Sequence, residues 1–192
     1  MKKILKRKDY DKIEEEANNL IEDLGITLFP INCFEIAFLL NIEIHKCSEF
    51  NENDRDFIVS KFNDGFTIRK SGKYIIYYND SLIRERIKST MWHEIAHIQL
   101  GHLESDCMIS YAQKEEEANH FAVYVMAPLV FVHRLNLNSP QEISDICEIS
   151  FECACNVYEH YVKAFQYASI RNTILNGRIA NLLTYAPKGI VA

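Results

Sequence analysis

The sequence lacks any uninterrupted apolar run long enough to span a membrane. Its most apolar stretch, Ile26 to Ile44, is broken by Pro30, Asn32, Glu35, Asn41 and Glu43, whereas a membrane helix needs about 20 nearly continuous apolar residues. The apolar segment of an export signal is missing too. The basic cluster of Lys2, Lys3, Lys6, Arg7, Lys8 and Lys12 meets Asp9-Tyr10-Asp11 and then Glu14-Glu15-Glu16, so it reads as the solvated start of a helix. These absences predict a cytoplasmic protein with reduced thiols, and no Cys-x-x-Cys pair occurs among the six cysteines. Cys153-x-Cys155 is a poor zinc spacing. Positive charge is scarce: 21 Lys and Arg face 27 Asp and Glu, a net charge of −6. From Pro140 to Val162 there is no Lys or Arg, while Glu142, Asp145, Glu148, Glu152 and Glu159 are all acidic. Phosphate would be repelled there, so no direct nucleic-acid binding is expected. A docking surface for a basic protein fits that charge better. Repeats and low-complexity linkers are also lacking.

What is present is ordinary globular composition, 48% hydrophobic and 25% charged. A chain of 192 residues suits one domain, alone or with a small appendage, and buries roughly 70% of its unfolded surface. Apolar spacing predicts helices over Asp9 to Leu24 and Cys33 to Leu40. Asn63-Asp64-Gly65 suggests a hairpin between strands at 58–62 and 66–68, and Ser71-Gly72 a second turn before a strand at Tyr74 to Tyr78. Asn79-Asp80-Ser81 would cap a long helix from about Leu82 to Leu100, stopped by Gly101. Further helices are expected at about 112–126, 142–147, 151–168 and, more weakly, 173–183. The fold class is α+β, mainly helical, with a small, mostly antiparallel sheet beside the long helix. Residues 1–138 would form the main domain and 139–192 a helical extension packed on it.

The informative pentapeptide lies on that long helix: His93-Glu94-Ile95-Ala96-His97. Residues four apart share a helix face, so two imidazoles can converge on one cation. Glu94 then lies beside the open coordination position, where a carboxylate can take a proton from an attacking water. A catalytic zinc needs a third protein ligand. His102 and the run Glu115-Glu116-Glu117 supply candidates. His102 follows His97 by five residues, one short of the metzincin spacing, which favours a capping or supporting role. Within the acidic run Glu115 is preferred, because it shares a face with Asn119, which can hydrogen-bond a ligand histidine. Glu117 would point elsewhere, to solvent or a lysine, and Glu116 ranks last. A His2Glu set also accepts manganese or iron. An oxyanion-stabilising group is required as well, with Tyr111 and Tyr124 as candidates among ten tyrosines. Strand Tyr74 to Tyr78 could offer an edge to a peptide, or equally be a plain sheet strand with aromatic packing. His120, beside Asn119 but facing away from Glu115, reads as a surface residue, and His45, His133 and His160 read as structural or solvated.

The longer pattern resembles the ImmA/IrrE family of metallo-endopeptidases. It runs from His93-Glu94-Ile95-Ala96-His97 through Leu100-Gly101-His102 and Glu115-x-x-Ala118-Asn119-x-Phe121-Ala122 to Val125-Met126-Ala127-Pro128. The resemblance covers roughly residues 13 to 165, more faintly after Ile149-Ser150; Ile95-Ala96 replaces the commoner Leu-Gly. It implies a zincin-like fold, Zn2+ held by His93, His97 and Glu115, and Glu94 as catalytic base. It also implies a cytoplasmic protein substrate, typically a helix-turn-helix repressor of a mobile element, prophage or stress regulon. A zinc-stabilised interaction module without turnover is the competing reading.

Overall fold

The structure, a computed structural model, describes residues 5–186. In chain order its elements are α1 (Arg7–Asp23), β1 (Leu28–Phe29), α2 (Cys33–Leu39), β2 (Glu43–Lys46), α3 (Glu52–Phe62), β3 (Gly65–Lys70) and β4 (Lys73–Tyr78). They continue with α4 (Arg84–Gln99), α5 (Tyr111–Met126), α6 (Leu129–Arg134), α7 (Pro140–Cys147), α8 (Phe151–Phe165), α9 (Ala168–Leu175), α10 (Ile179–Leu182) and β5 (Thr184–Tyr185). The class is α+β, as expected. No helix of the described residues is long and apolar enough to cross a membrane. Contacts divide the chain into two compact units, Met1–Glu16 with Asn32–Ala122, and Ala17–Ile31 with Val123–Ala192.

The first unit is built around a three-stranded sheet in the order β2-β4-β3. It is mixed: β3 runs antiparallel to β4, but β2 pairs parallel to it, with Ile44 opposite Ile76. The tight turn at Ser71-Gly72 joins β3 to β4 as predicted, both residues lying at positive φ (53° and 81°). The other hairpin does not form. Residues 58–62 belong to α3, whose Asn51 side chain accepts from the Asp54 amide at 3.0 Å. Acidic residues fill its first turn and Lys61 its last, and these end signals outweigh the β-branched Ile58-Val59 pair. Asn63, at φ 59°, still reverses the chain, but it ends a helix.

Helix α4 packs against β3 and β4 and buries Met91, Trp92, Ile95 and Ala96 completely. It starts at Arg84, later than the Asn-Asp-Ser signal suggested, with Ile83 at its N-cap and no side-chain cap. Asn79 is used otherwise. Its Oδ1 accepts from the Ser81 amide and hydroxyl at 3.1 and 2.6 Å, closing a local turn that competes with a helix cap. Arg86 on α4 grips Asp64 with two hydrogen bonds of 2.7 and 3.0 Å.

Gly65 sets how closely β3 approaches α4. A Cβ there would come within 2.7 Å of Thr90 Cγ2 and 2.8 Å of the Tyr77 carbonyl oxygen. Gly65→Ala should therefore destabilise the protein by about 1–3 kcal/mol, the usual range for forced overpacking. An unchanged urea midpoint would refute this close fit.

In the second unit β1 and β5 form a two-stranded parallel pair that the sequence did not signal. Phe29 stacks on Phe131 at 4.6 Å. Helix α6 was also unforeseen, because its run Val130-Phe131-Val132 is buried throughout and shows no amphipathic period. The weak helix expected near 173–183 is two short ones, α9 and α10, with Gly177 between them.

Candidate metal centre

Helix α4 carries His93, Glu94 and His97, and α5 carries Glu115 and Asn119. The helical four-residue step brings His93 Nε2 and His97 Nε2 to 3.0 Å. Glu115 closes the group: Oε2 is 3.3 Å from His93 Nε2, and Oε1 is 3.4 Å from His97 Nε2. Among the described residues this is the one His, Cys, Asp and Glu cluster whose ligand atoms lie within 4.8 Å of one another.

The far sides of both rings are occupied. His93 Nδ1 meets Asn119 Oδ1 at 3.1 Å, and His97 Nδ1 meets His102 Nδ1 at 3.0 Å. An amide oxygen can only accept, so His93 carries its proton at Nδ1 and turns a lone pair at Nε2 toward the cluster. Burial pushes His97 down to about 3, with the neighbouring His93, His102 and Lys114 adding to the shift. That imidazole is neutral near pH 7, the form that binds metals. Tetrahedral zinc, with bonds of about 2.0–2.2 Å, sets its ligand atoms about 3.3–3.5 Å apart. The two Glu115 separations fall in that range and the imidazole pair, at 3.0 Å, lies just below it, so a divalent cation fits this donor set with a small outward movement of one ring.

Residues 22–156 match the Peptidase_M78 family, described as IrrE N-terminal-like domain. The chain belongs to that family. No curated protein matches it. The cluster of His93, His97 and Glu115 lies within the matched residues.

In this IrrE-like domain Glu94 points away from solvent, only 8% exposed, and its Oε2 accepts a 2.6 Å hydrogen bond from the Thr67 hydroxyl on β3. Burial raises its pKa and the charge of Glu115 adds to this, while the Thr67 bond and His93 oppose it. The sequence did not point to Thr67, because no local pattern shows which residue of an edge strand will face a helix 27 positions away. Glu117 also departs from expectation. It turns inward, with its side chain 14% exposed, and its Oε2 lies 3.0 Å from His102 Nε2. A signal for this was present in Gly101. With Gly101 at φ 67°, the His102 amide bonds the His97 carbonyl and the Gly101 amide bonds that of Ile98. This Schellman turn folds the residue after the glycine back over the last helical turn.

The cluster opens onto a cleft of about 630 Å³. Phe62, Phe66 and Leu103 give it apolar wall, and Lys61, Asp64 and Lys114 give it charge. The edge strand beside the cleft is β3, because β4 is paired on both sides. The expectation that Tyr74 to Tyr78 would offer a free edge is therefore corrected. Of the two tyrosine candidates, Tyr111 lines the cleft, and the charge of Glu115 raises its pKa, followed by burial and a hydrogen bond to that carboxylate. Tyr124 instead shares hydrogen bonds with Asn18. His120 is tied to Glu14 at 3.1 Å and lies edge-on to Tyr10, a packed position rather than the free surface expected.

Proposed function

We propose that this protein is a zinc-dependent endopeptidase that cuts a specific cytoplasmic protein, with a helix-turn-helix repressor of a mobile element, prophage or stress regulon as the leading substrate class. The carrying observation is the convergence of His93 Nε2, His97 Nε2 and Glu115 beside a buried Glu94 at an open cleft. His93, His97 and Glu115 would hold the metal, and Asn119 would fix the tautomer of His93. Zinc in such a set supplies Lewis-acid polarisation of a carbonyl oxygen and acidifies a water to a pKa of about 7.

The chain's own groups do the rest. Glu94 takes a proton from the attacking water and returns it to the departing amide nitrogen. Thr67 holds the carboxylate of Glu94 by its hydroxyl. The free edge of β3 supports an extended substrate, whose backbone would pair with it as one more strand. Tyr111 lines the cleft and would donate its hydroxyl to the oxyanion of the tetrahedral intermediate.

The direct test is cleavage of a proteome-derived peptide library by the zinc-loaded chain, with new termini read by mass spectrometry. Internal cuts that vanish with a chelator and return with zinc are the expected result. Cuts that persist in excess chelator would sink the proposal.

A further inference from the structure

We propose that Glu117 and His102 form a positioning relay that fixes the tautomer and tilt of His97; this rests on the ligand set proposed above. Glu117 Oε2 lies 3.0 Å from His102 Nε2, and His102 Nδ1 lies 3.0 Å from His97 Nδ1. A carboxylate can only accept, so the proton of His102 sits on Nε2. Its Nδ1 is then an acceptor, which takes the proton of His97 at Nδ1. The lone pair of His97 is left on Nε2, aimed at His93 and Glu115. One carboxylate thereby dictates, through an intervening imidazole, which nitrogen of His97 can bind metal.

The parts of the relay are individually held. The Schellman turn bonds the His102 amide to the His97 carbonyl at 2.9 Å, and Lys114 Nζ donates to the His102 carbonyl at 2.5 Å. Gln113 Nε2 donates to Glu117 Oε1 at 2.8 Å, so both oxygens of Glu117 are engaged. The His102 side chain is 1% exposed, which keeps water from replacing Glu117 as its acceptor. His93 has a simpler arrangement, a single neutral amide oxygen from Asn119. The two ligand imidazoles are thus supported unequally, and the negative charge behind His97 makes it the stronger donor of the pair.

The experiment measures zinc dissociation constants of the full-length chain by competition with a chromophoric chelator. Thermal melting of each metal-free variant runs alongside. Three variants separate the roles. His102→Phe fills the ring's volume without either nitrogen. His102→Asn restores an acceptor at the place of Nδ1. Glu117→Gln keeps the shape and removes the charge. Losing such support typically weakens metal binding by about 10–100-fold. His102→Phe should show that loss, Glu117→Gln should show part of it, and His102→Asn should recover most of it. A purely architectural tie between α4 and α5 would lower the metal-free melting temperature and leave zinc affinity unchanged, which would overturn the relay. Should His102→Phe fail to fold, a fourth variant, Glu117→Leu, removes the acceptor of the His102 proton altogether: affinity within twofold of wild type refutes the relay. A wild-type chain that takes up no zinc would instead remove the ligand set beneath it.

Discussion

Glu94→Gln should abolish most cleavage while leaving zinc bound at the wild-type level. A general base contributes typically about 10²–10⁴-fold to rate, and an amide of the same shape cannot accept a proton at neutral pH. Three features of the site sharpen this expectation. Glu94 is not a member of the converging ligand group, so its replacement leaves His93, His97 and Glu115 in place. The amide oxygen of Gln can still accept the Thr67 hydroxyl that now bonds Glu94 at 2.6 Å, so the side chain stays where it is. Finally, burial and the charge of Glu115 both disfavour the ionised carboxylate, so a neutral side chain should not destabilise the metal-free protein. The informative outcome is a pair of numbers, turnover and zinc content, measured on the same preparation. If turnover survived at a tenth of wild type or more, Glu94 would not be the base. If the variant kept full biological activity with no cleavage by either protein, the zinc-stabilised interaction module would become the better reading.

The ease with which this site is read from sequence has a physical basis. His93, Glu94 and His97 lie on one helix, where a fixed rise and rotation per residue turn spacing into geometry. Asn119 and Glu115 are one turn apart on α5, so they too could be assigned to one face. Glu115 could be preferred within its run for the same reason. Contacts made between elements were hidden. Thr67 reaches Glu94 only because β3 is an edge strand lying against α4, and the register of β3 follows from a turn the sequence did show at Ser71-Gly72. The inward turn of Glu117 depends on His102 being folded back under His97, which Gly101 signals only if the helix end is followed residue by residue. The misread segment at 58–62 has a similar origin. Alternation over five residues carries less information than an N-cap and charged helix ends, and α3 buries no residue that would have revealed a helical period. Parallel pairing of β2 with β4 was hidden for another reason. Partners joined through α3 and β3 leave no local trace of their direction.

Glu115→Ala should cost the protein its stoichiometric zinc, whereas His93 and His97 alone should retain only weak binding. Structural zinc sites with four protein ligands are worth about 10–16 kcal/mol, so one ligand corresponds to roughly 3–4 kcal/mol, on the order of 10²–10³ in affinity. The effect carries over to stability through mass action. At free zinc a hundred times the wild-type dissociation constant, the folded state gains about 2.7 kcal/mol; a variant weaker by a few hundredfold gains only about 0.2 kcal/mol by the same relation. The wild type should therefore melt several degrees higher with zinc than without, and Glu115→Ala should scarcely shift. Without metal the two should melt together, since the Glu115 side chain is 31% exposed and its removal opens no core. Glu117→Ala supplies the contrast. It should weaken binding through His102 yet still reach one zinc per chain at sufficient concentration, because Glu117 lies outside the converging group. Equal zinc content in Glu115→Ala and wild type at limiting metal would mean that the third ligand is another residue. The 3.3 and 3.4 Å approaches of its carboxylate to the two imidazoles would then need a different explanation.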